Sequence, residues 1–349
     1  MEKGYKILGN YIRLVDERNK NLAVTKLLGV SISKKFIPSI ANIVGTDLSN
    51  YKIVRTGQFA YGPVTSRNGE KISIAYLDEE DCIISSSYTV FEVENKEELD
   101  PEYLMLWFSR PEFDRYARYK SHGSVREIFD WNELCMVELP VPDIEKQRKI
   151  VKAYKTITDR IDLKQKINDN LESMLTAVYF EQFYSSKASE YTKLSDLMVF
   201  GNGKSRPKTN GTIPVYGGNG VLSYTDKYNA ENTVLIGRVG AYCGSVYLEQ
   251  SICWVSDNAI FAKSKITNDE FFDYFLLKGL NLFNHHVGTG QQLLTQDILN
   301  NIEVPKPDID QIGMFNMKAK SVFETISANK CEIIRLQKLS DLLLARLAS

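Results

Sequence analysis

Histidine is scarce in this chain, and no two of its three copies are spaced for a metal. His122, His285 and His286 form no H-x-x-x-H pair, and the adjacent pair reads as surface rather than zinc-binding. Five cysteines, Cys82, Cys135, Cys243, Cys253 and Cys331, make no C-x-x-C spacing. That excludes the usual zinc-ribbon and dithiol-redox frameworks and points to reduced thiols packed in cores, in a cytoplasmic protein. No apolar run approaches the ~20 residues of a membrane span, and Met1-Glu2-Lys3-Gly4 reads as no secretory leader. An excess of one charge is missing too. The balance of 43 Lys and Arg against 44 Asp and Glu gives no global basic signal for nucleic acid.

Catalytic motifs are also absent. Gly201-Asn202-Gly203-Lys204-Ser205 suggests a phosphate loop, but Met198 stands where that motif needs glycine. No N-P-P-Y-like adenine-methylase string occurs. Pro142-Asp143 with Glu145-Lys146 lacks the acidic separation of a nuclease centre, and Asp143 reads more simply as a helix cap. The residues therefore assign no catalytic group and no metal ligand.

What the chain does have, it has twice. Pro140-Val141-Pro142-Asp143-Ile144 returns as Pro305-Lys306-Pro307-Asp308-Ile309, 165 positions later. At the same offset Gly123, Leu134 and Val137 face Gly288, Leu299 and Ile302. Cys82-Ile83-Ile84-Ser85 matches Cys253-Trp254-Val255-Ser256 at a slightly different offset. A repeated unit of globule then helix predicts pseudo-two-fold architecture.

Each globule reads as mixed α/β and rich in loops. Tyr51-Lys52-Ile53-Val54 and Ile72-Ser73-Ile74-Ala75-Tyr76 alternate as half-buried strands do, and Val234-Leu235-Ile236 reads as a buried strand. Pro101 opens a helix with Leu104, Leu106, Trp107 and Phe108. Phe271, Phe272, Tyr274, Phe275, Leu276 and Leu282 predict its counterpart.

Two long helices follow the two globules. Ile150, Tyr154, Ile157 and Ile161 are spaced 4, 3, 4, and Phe315, Ala319, Val322 and Ile326 repeat the pattern. Such a narrow stripe buries against a partner helix. Leu171, Met174 and Val178 extend it in the first copy, and Leu336, Leu339 and Leu343 in the second. Between them stand Lys164 and Asn168, or Asn329 and Lys330, a polar interruption suited to fixing register. The pattern predicts antiparallel helices forming a coiled coil, the first running from Ile144 to about Phe183, with Ser185–Ser189 as a flexible return. The fold class expected is α/β (α+β), divided as globule 1–142, helix 143–184, globule 185–307 and helix 308–349.

The order of these segments resembles the DNA-specificity subunit of type I restriction–modification systems over nearly the full length. In that family a P-x-P stretch ends each recognition domain and a spacer helix follows. Leu139-Pro140-Val141-Pro142-Asp143-Ile144-Glu145-Lys146-Gln147 fits, and the second copy fits with Gln311 one place early. Ile213–Gly220, Leu235–Ala241 and Trp254–Ala259 carry further family-like text; Gly57–Pro63 resembles a different recognition-domain type. The resemblance implies a non-catalytic subunit. Each domain would read half of a bipartite site in double-stranded DNA, and the helices would act as a ruler and dock two methylation subunits. Those bind S-adenosylmethionine; restriction subunits using ATP and Mg join them. No cofactor is expected in this chain and no membrane as partner. A duplicated coiled-coil adaptor that binds only protein is the alternative left open by the residues.

Candidate DNA contacts come from local basic loops. Lys204, Arg206 and Lys208 place three cations in five residues, and Arg238 stands in a glycine-rich turn. The stretch Arg115–Arg126 contains no acid and interleaves basic with aromatic residues, offering Arg118, Lys120 and Arg126. Gln291 and Gln292 fall at the matching loop of the second copy, where glutamine can read adenine. Arg67 and Asn68 occupy a polar turn.

Overall fold

The computed structural model describes residues 4–39, 45–66, 68–123, 126–184, 190–288 and 290–348. Ser185–Ser189 lies outside them. Two compact units emerge: 1–163 with 333–349, and 164–332. Each contains one globule and the helix segments packed on it. Among the described residues no helix is long and apolar enough to cross a membrane, and no group of three or more His, Cys, Asp or Glu is placed to hold a metal.

The first globule holds β1 (Tyr5–Ile7), β2 (Ile12–Val15), β3 (Leu28–Val30), β4 (Phe36–Pro38), β5 (Lys52–Val54), β6 (Phe59–Tyr61), β7 (Ile74–Tyr76), β8 (Cys82–Ile84), β9 (Thr89–Val93) and β10 (Glu138–Pro140). Its helices are α1 (Pro101–Phe108), α2 (Pro111–Tyr119) and α3 (Trp131–Cys135), and α4 (Ile144–Tyr184) follows. The second globule holds β11 (Tyr191–Lys193), α5 (Leu194–Leu197), β12 (Met198–Asn202), β13 (Ile213–Gly217), β14 (Gly220–Thr225), β15 (Ala230–Gly237), β16 (Val246–Val255), β17 (Ala259–Ser264), α6 (Phe271–Gly279), α7 (Gln296–Asn300) and β18 (Glu303–Pro305). The last long helix is α8 (Ile309–Ala345). Leu282, expected in the helix, instead begins a 3-10 turn to His285, after Asn281 adopts a left-handed conformation.

The two globules share one strand plan. In the first, the antiparallel order is β2-β9-β6-β7; in the second it is β12-β17-β15-β16. One row reads Leu14, Phe91, Phe59, Tyr76, and the matching row reads Phe200, Ala262, Val234, Leu248. A parallel contact recurs as well, between Leu27 and Ile83 and between Val215 and Trp254. The second sheet reaches six strands because β15 and β16 run on without a break and carry the β13-β14 hairpin. In the first globule the same segments are short pairs, β5-β8 and β3-β4.

Each globule is closed by its P-x-P segment. Tyr5 pairs with Pro140 across β1 and β10, and Tyr191 with Pro305 across β11 and β18. Proline offers no N–H for a further rung, so the strand ends and a helix can start. Asp143 Oδ1 accepts the N–H of Lys146 at 2.9 Å, and Asp308 Oδ1 that of Asp310 at 2.8 Å. Both aspartates thus satisfy orphan donors of the first turn.

The inward stripe of each long helix keeps its 3-4 spacing throughout. In the first unit Ile150 and Tyr154 pack on a core that contains Val151, Leu344 and Leu347. In the second, Phe315 and Ala319 are fully buried, Ile326 is buried, and Val322 packs against their core. Ile157 and Ile161 are half-buried. Tyr179 meets Phe315 with ring centroids 5.7 Å apart, while Asn168 meets Asn329, so the paired segments run antiparallel. Met174 and Leu339, expected inside, are exposed; Leu175 and Ser340 are buried in their place. The spacing continues through the polar interruption, and after Leu171 or Leu336 the next inward position is four residues on.

That interruption is a hydrogen-bonded layer. Lys164 Nζ donates to Asn329 Oδ1 at 2.8 Å and pairs with Glu332 at 2.8 Å; Asn329 Nδ2 donates to Asn168 Oδ1 at 2.9 Å. Lys164 therefore faces the residue that holds its own place in the second copy.

One helix anchor moves between copies. Gln147 is fully buried; its Nε2 donates to the carbonyls of Glu98 and Pro142, and its Oε1 accepts the N–H of Asp100, just ahead of α1. Gln311 does not repeat this and is exposed. Asn316 does the work instead, accepting the N–H of Phe272 in α6 and donating to Thr267 and Asp269. The place matching Gln147 is taken by buried Ile312, so the amide sits one turn later. Replacing Gln147 or Asn316 with alanine strands buried partners and should lower stability by about 2 kcal/mol. Gln311→Ala should stay within about 0.5 kcal/mol. Chemical denaturation of the three variants measures the contrast.

Candidate nucleic-acid interface

In the second globule three chain segments leave the same end of the sheet. Asn202 at the end of β12 pairs with Ile260, and Gly237 at the end of β15 pairs with Ala259 at the start of β17. The loop after Asn202, the turn after Gly237 and the residues before Ala259 are therefore neighbours. Lys204 N–H donates to the carbonyl of Val255 at 2.9 Å, and Trp254 Nε1 donates to the carbonyl of Lys204 at 3.3 Å. Arg238 N–H donates to Asn258 O at 3.0 Å, and Arg238 O accepts from Leu294 N–H at 2.9 Å. Gly240 N–H reaches Gln292 O at 3.0 Å. Ser245 Oγ donates to Gly218 O, drawing in the turn between β13 and β14.

The glycines here answer to packing. A Cβ on Gly237 would lie 2.1 Å from the carbonyl oxygen of Tyr242, and one on Gly203 would lie 1.9 Å from that of Ser256. Beneath the turn, burial pushes the Cys243 thiol up, so it stays protonated and donates to Arg238 O at 3.4 Å. Cys82 and Cys253 are pushed up to about 12 by burial, as suits core packing. Cys331, expected in a core, is exposed on α8.

The hairpin that carried matching glycines is built alike in both copies. His122 and Ile128 exchange backbone hydrogen bonds of 3.1 and 2.9 Å, and Val287 and Leu293 exchange bonds of 2.9 and 3.0 Å. Val64 bridges to Ile128 as Val239 bridges to Leu293. Gly123 and Gly288 take φ of +136° and +92°, where a Cβ would strike the carbonyl of Arg126 or Gln291. Arg126, Gln291 and Gln292 thus ride on equivalent hairpins. Arg126 and Asn68 also line a cavity of about 310 Å³ with Ser73 and Tyr88. Arg67 lies outside the described residues.

Ion pairing sorts the predicted cations. The acid-free stretch is neutralised from beyond its ends: Arg118 pairs with Glu127, Lys120 with Glu133 at 3.4 Å, and Arg115 with Glu112 at 3.1 Å. Elsewhere in the first globule Arg13, Arg18, Arg55 and Arg110 each meet a carboxylate. Arg126 is exposed and makes no ion pair among the described residues. The same holds for Lys204, Arg206 and Lys208, which are exposed, and for half-buried Arg238. Tyr242 and Asn258, both exposed at this sheet end, were not singled out from the sequence. Asn258 falls inside the string Trp254–Ala259 and Tyr242 directly follows Leu235–Ala241, which was the available signal.

A family model described as "Type I restriction modification DNA specificity domain" matches residues 31–173 and again 187–339. The chain is 24% identical over 158 residues to the HindI specificity subunit of Haemophilus influenzae, covering 44% of this chain and 34% of that one. The chain thus spans about a third of that relative's length. It is 23% identical over 295 residues to the MjaIX specificity subunit of Methanocaldococcus jannaschii, covering 70% and 68%. Among solved structures, the S subunit of a type I system from M. genitalium superposes with a TM-score of 0.63 at 15% identity, covering 99% of this chain and 96% of that one.

Gly237→Ala should destabilise the second globule by about 1–3 kcal/mol, because backbone rather than a pliable side chain blocks the added methyl. Gly313→Ala, in open space on α8, should stabilise by up to about 1 kcal/mol. Thermal unfolding of both variants reads the opposite signs.

Proposed function

Since this chain belongs to the type I restriction–modification DNA specificity family, we propose that it is the non-catalytic subunit that reads a bipartite site in double-stranded DNA. Each globule meets one half-site. The paired helices set the distance between the halves and dock two methylation subunits, which bring S-adenosylmethionine and modify an adenine in each half. Restriction subunits, using ATP and Mg, join that assembly in the cytoplasm.

The observation that carries this reading is the repeated strand plan whose loop ends bear arginines without carboxylate partners. Arg126 in one globule and Arg206 and Arg238 in the other make no ion pair among the described residues and stay available to phosphates or bases, while Arg13, Arg18, Arg55, Arg110, Arg115 and Arg118 are neutralised. An adaptor that binds only protein has no use for this division. The small net charge is accommodated if the methylation partners supply much of the phosphate clamp.

In a complex reconstituted with its methylation partner, reversing charge at Arg206 and Arg238 together should abolish methylation of the cognate site while assembly persists. Unchanged methylation would remove these residues from the interface. Ile157→Pro should break the helix at a cost of ~3 kcal/mol or more. Methylation that survives at the same half-site spacing would rule out the ruler.

A further inference from the structure

We infer that Arg238 reads a guanine in the half-site met by the second globule, whereas Lys204, Arg206 and Lys208 hold phosphates. This rests on the DNA-reading function proposed above and assigns roles within it.

Base reading needs a side chain delivered from a fixed backbone; phosphate contacts tolerate looser placement. Arg238 is held on both sides, by its N–H to Asn258 and by its carbonyl to Leu294. The preceding Gly237 is wedged against Tyr242, so the turn has little freedom to shift. Lys204 is held as well, by its N–H to Val255 and its carbonyl to Trp254, but lysine has no planar fork for a base edge; with Arg206 and Lys208 it is exposed, and their positive charge suits the uniform backbone of DNA.

The guanidinium of Arg238 also has unfilled bonding capacity. Its Nε is buried and has no hydrogen-bond partner among the described residues. The hydroxyl of Ser256, 2% exposed at the same sheet end, is likewise without one. A buried donor left unmet is unfavourable until an acceptor arrives. Guanine offers two acceptors, O6 and N7, spaced for the arginine fork.

The internal repeat supplies an independent argument. Arg238 precedes Val239, which bridges to Leu293; the matching place in the first globule precedes Val64, which bridges to Ile128. That place is Pro63, which has no side-chain donor. The scaffold is common to both copies and the occupant of this slot differs. The two half-sites are therefore unlike at the base pair this slot faces.

The test uses the full chain assembled with its methylation partner, acting on a library of randomised DNA, with modified adenines mapped by sequencing. Arg238→Ala should lower cognate methylation roughly ten- to a hundredfold and relax preference at one G·C pair of a single half-site. Arg238→Lys keeps the charge but loses the fork, and should relax the same position with a smaller loss of rate. Lys204→Ala with Lys208→Ala should weaken methylation across all sequences and flatten its salt dependence. Co-purification with the methylation subunit and unfolding curves establish that each variant is assembled and folded. If Arg238→Ala weakens all sequences alike, or leaves preference intact, the assignment is overturned. If the unmodified chain directs no bipartite methylation, the parent function falls and this assignment with it.

Discussion

The seam between α4 and α8 is the constraint on which the rest depends. Its inward positions hold a 3-4 spacing without a slip, and each globule's core continues into it. Val151, Leu344 and Leu347 belong to one core; Leu175, Tyr179, Ile312, Phe315 and Ala319 belong to the other. A helix pair of this kind is stable where apolar side chains interdigitate and ambiguous where nothing fixes the register. The layer of Lys164, Asn168, Asn329 and Glu332 resolves the ambiguity, because an axial slip breaks the Lys164–Asn329–Asn168 hydrogen bonds and the Lys164–Glu332 ion pair together. Gln147 and Asn316 then tie each helix start to the globule before it.

On that frame the protein separates what must be constant from what can vary. The rows Leu14-Phe91-Phe59-Tyr76 and Phe200-Ala262-Val234-Leu248 take the same strand pairings with a different residue at every place, and at the edge Leu14 is exposed where Phe200 is buried. Sheet geometry asks only for apolar bulk on the right face. The hairpins keep their glycines because the backbone there closes on itself, yet one carries Arg126 and the other Gln291. Chemistry can change at the tips without touching the core beneath.

The same division explains what could be read from the chain alone. The P-x-P segments, the Asp143 cap and the heptad spacing were legible because each is a local rule. The common strand plan was hidden, since its residue identities differ and its pairings span long separations. The neutralised state of Arg115, Arg118 and Lys120 was hidden as well: Glu112, Glu127 and Glu133 lie just outside the acid-free stretch and are brought back by the turn of the chain. Met174 and Leu339 misled because a polar gap makes the resumption of a heptad hard to phase. Gln311 misled because a helix can move an anchoring amide by one turn and keep the same function, as Asn316 does.

Lys164 opposite Asn329 has a consequence for how the molecule recognises itself. Two first-copy helices brought together in this register would set one lysine against another, with Ile167 in the place of Glu332 and so no carboxylate beside them. That arrangement is repulsive in a half-buried setting. Lysine against asparagine, with Glu332 close by, is attractive. This unlike position thus gives the two halves a polarity that favours pairing of a first-copy helix with a second-copy helix.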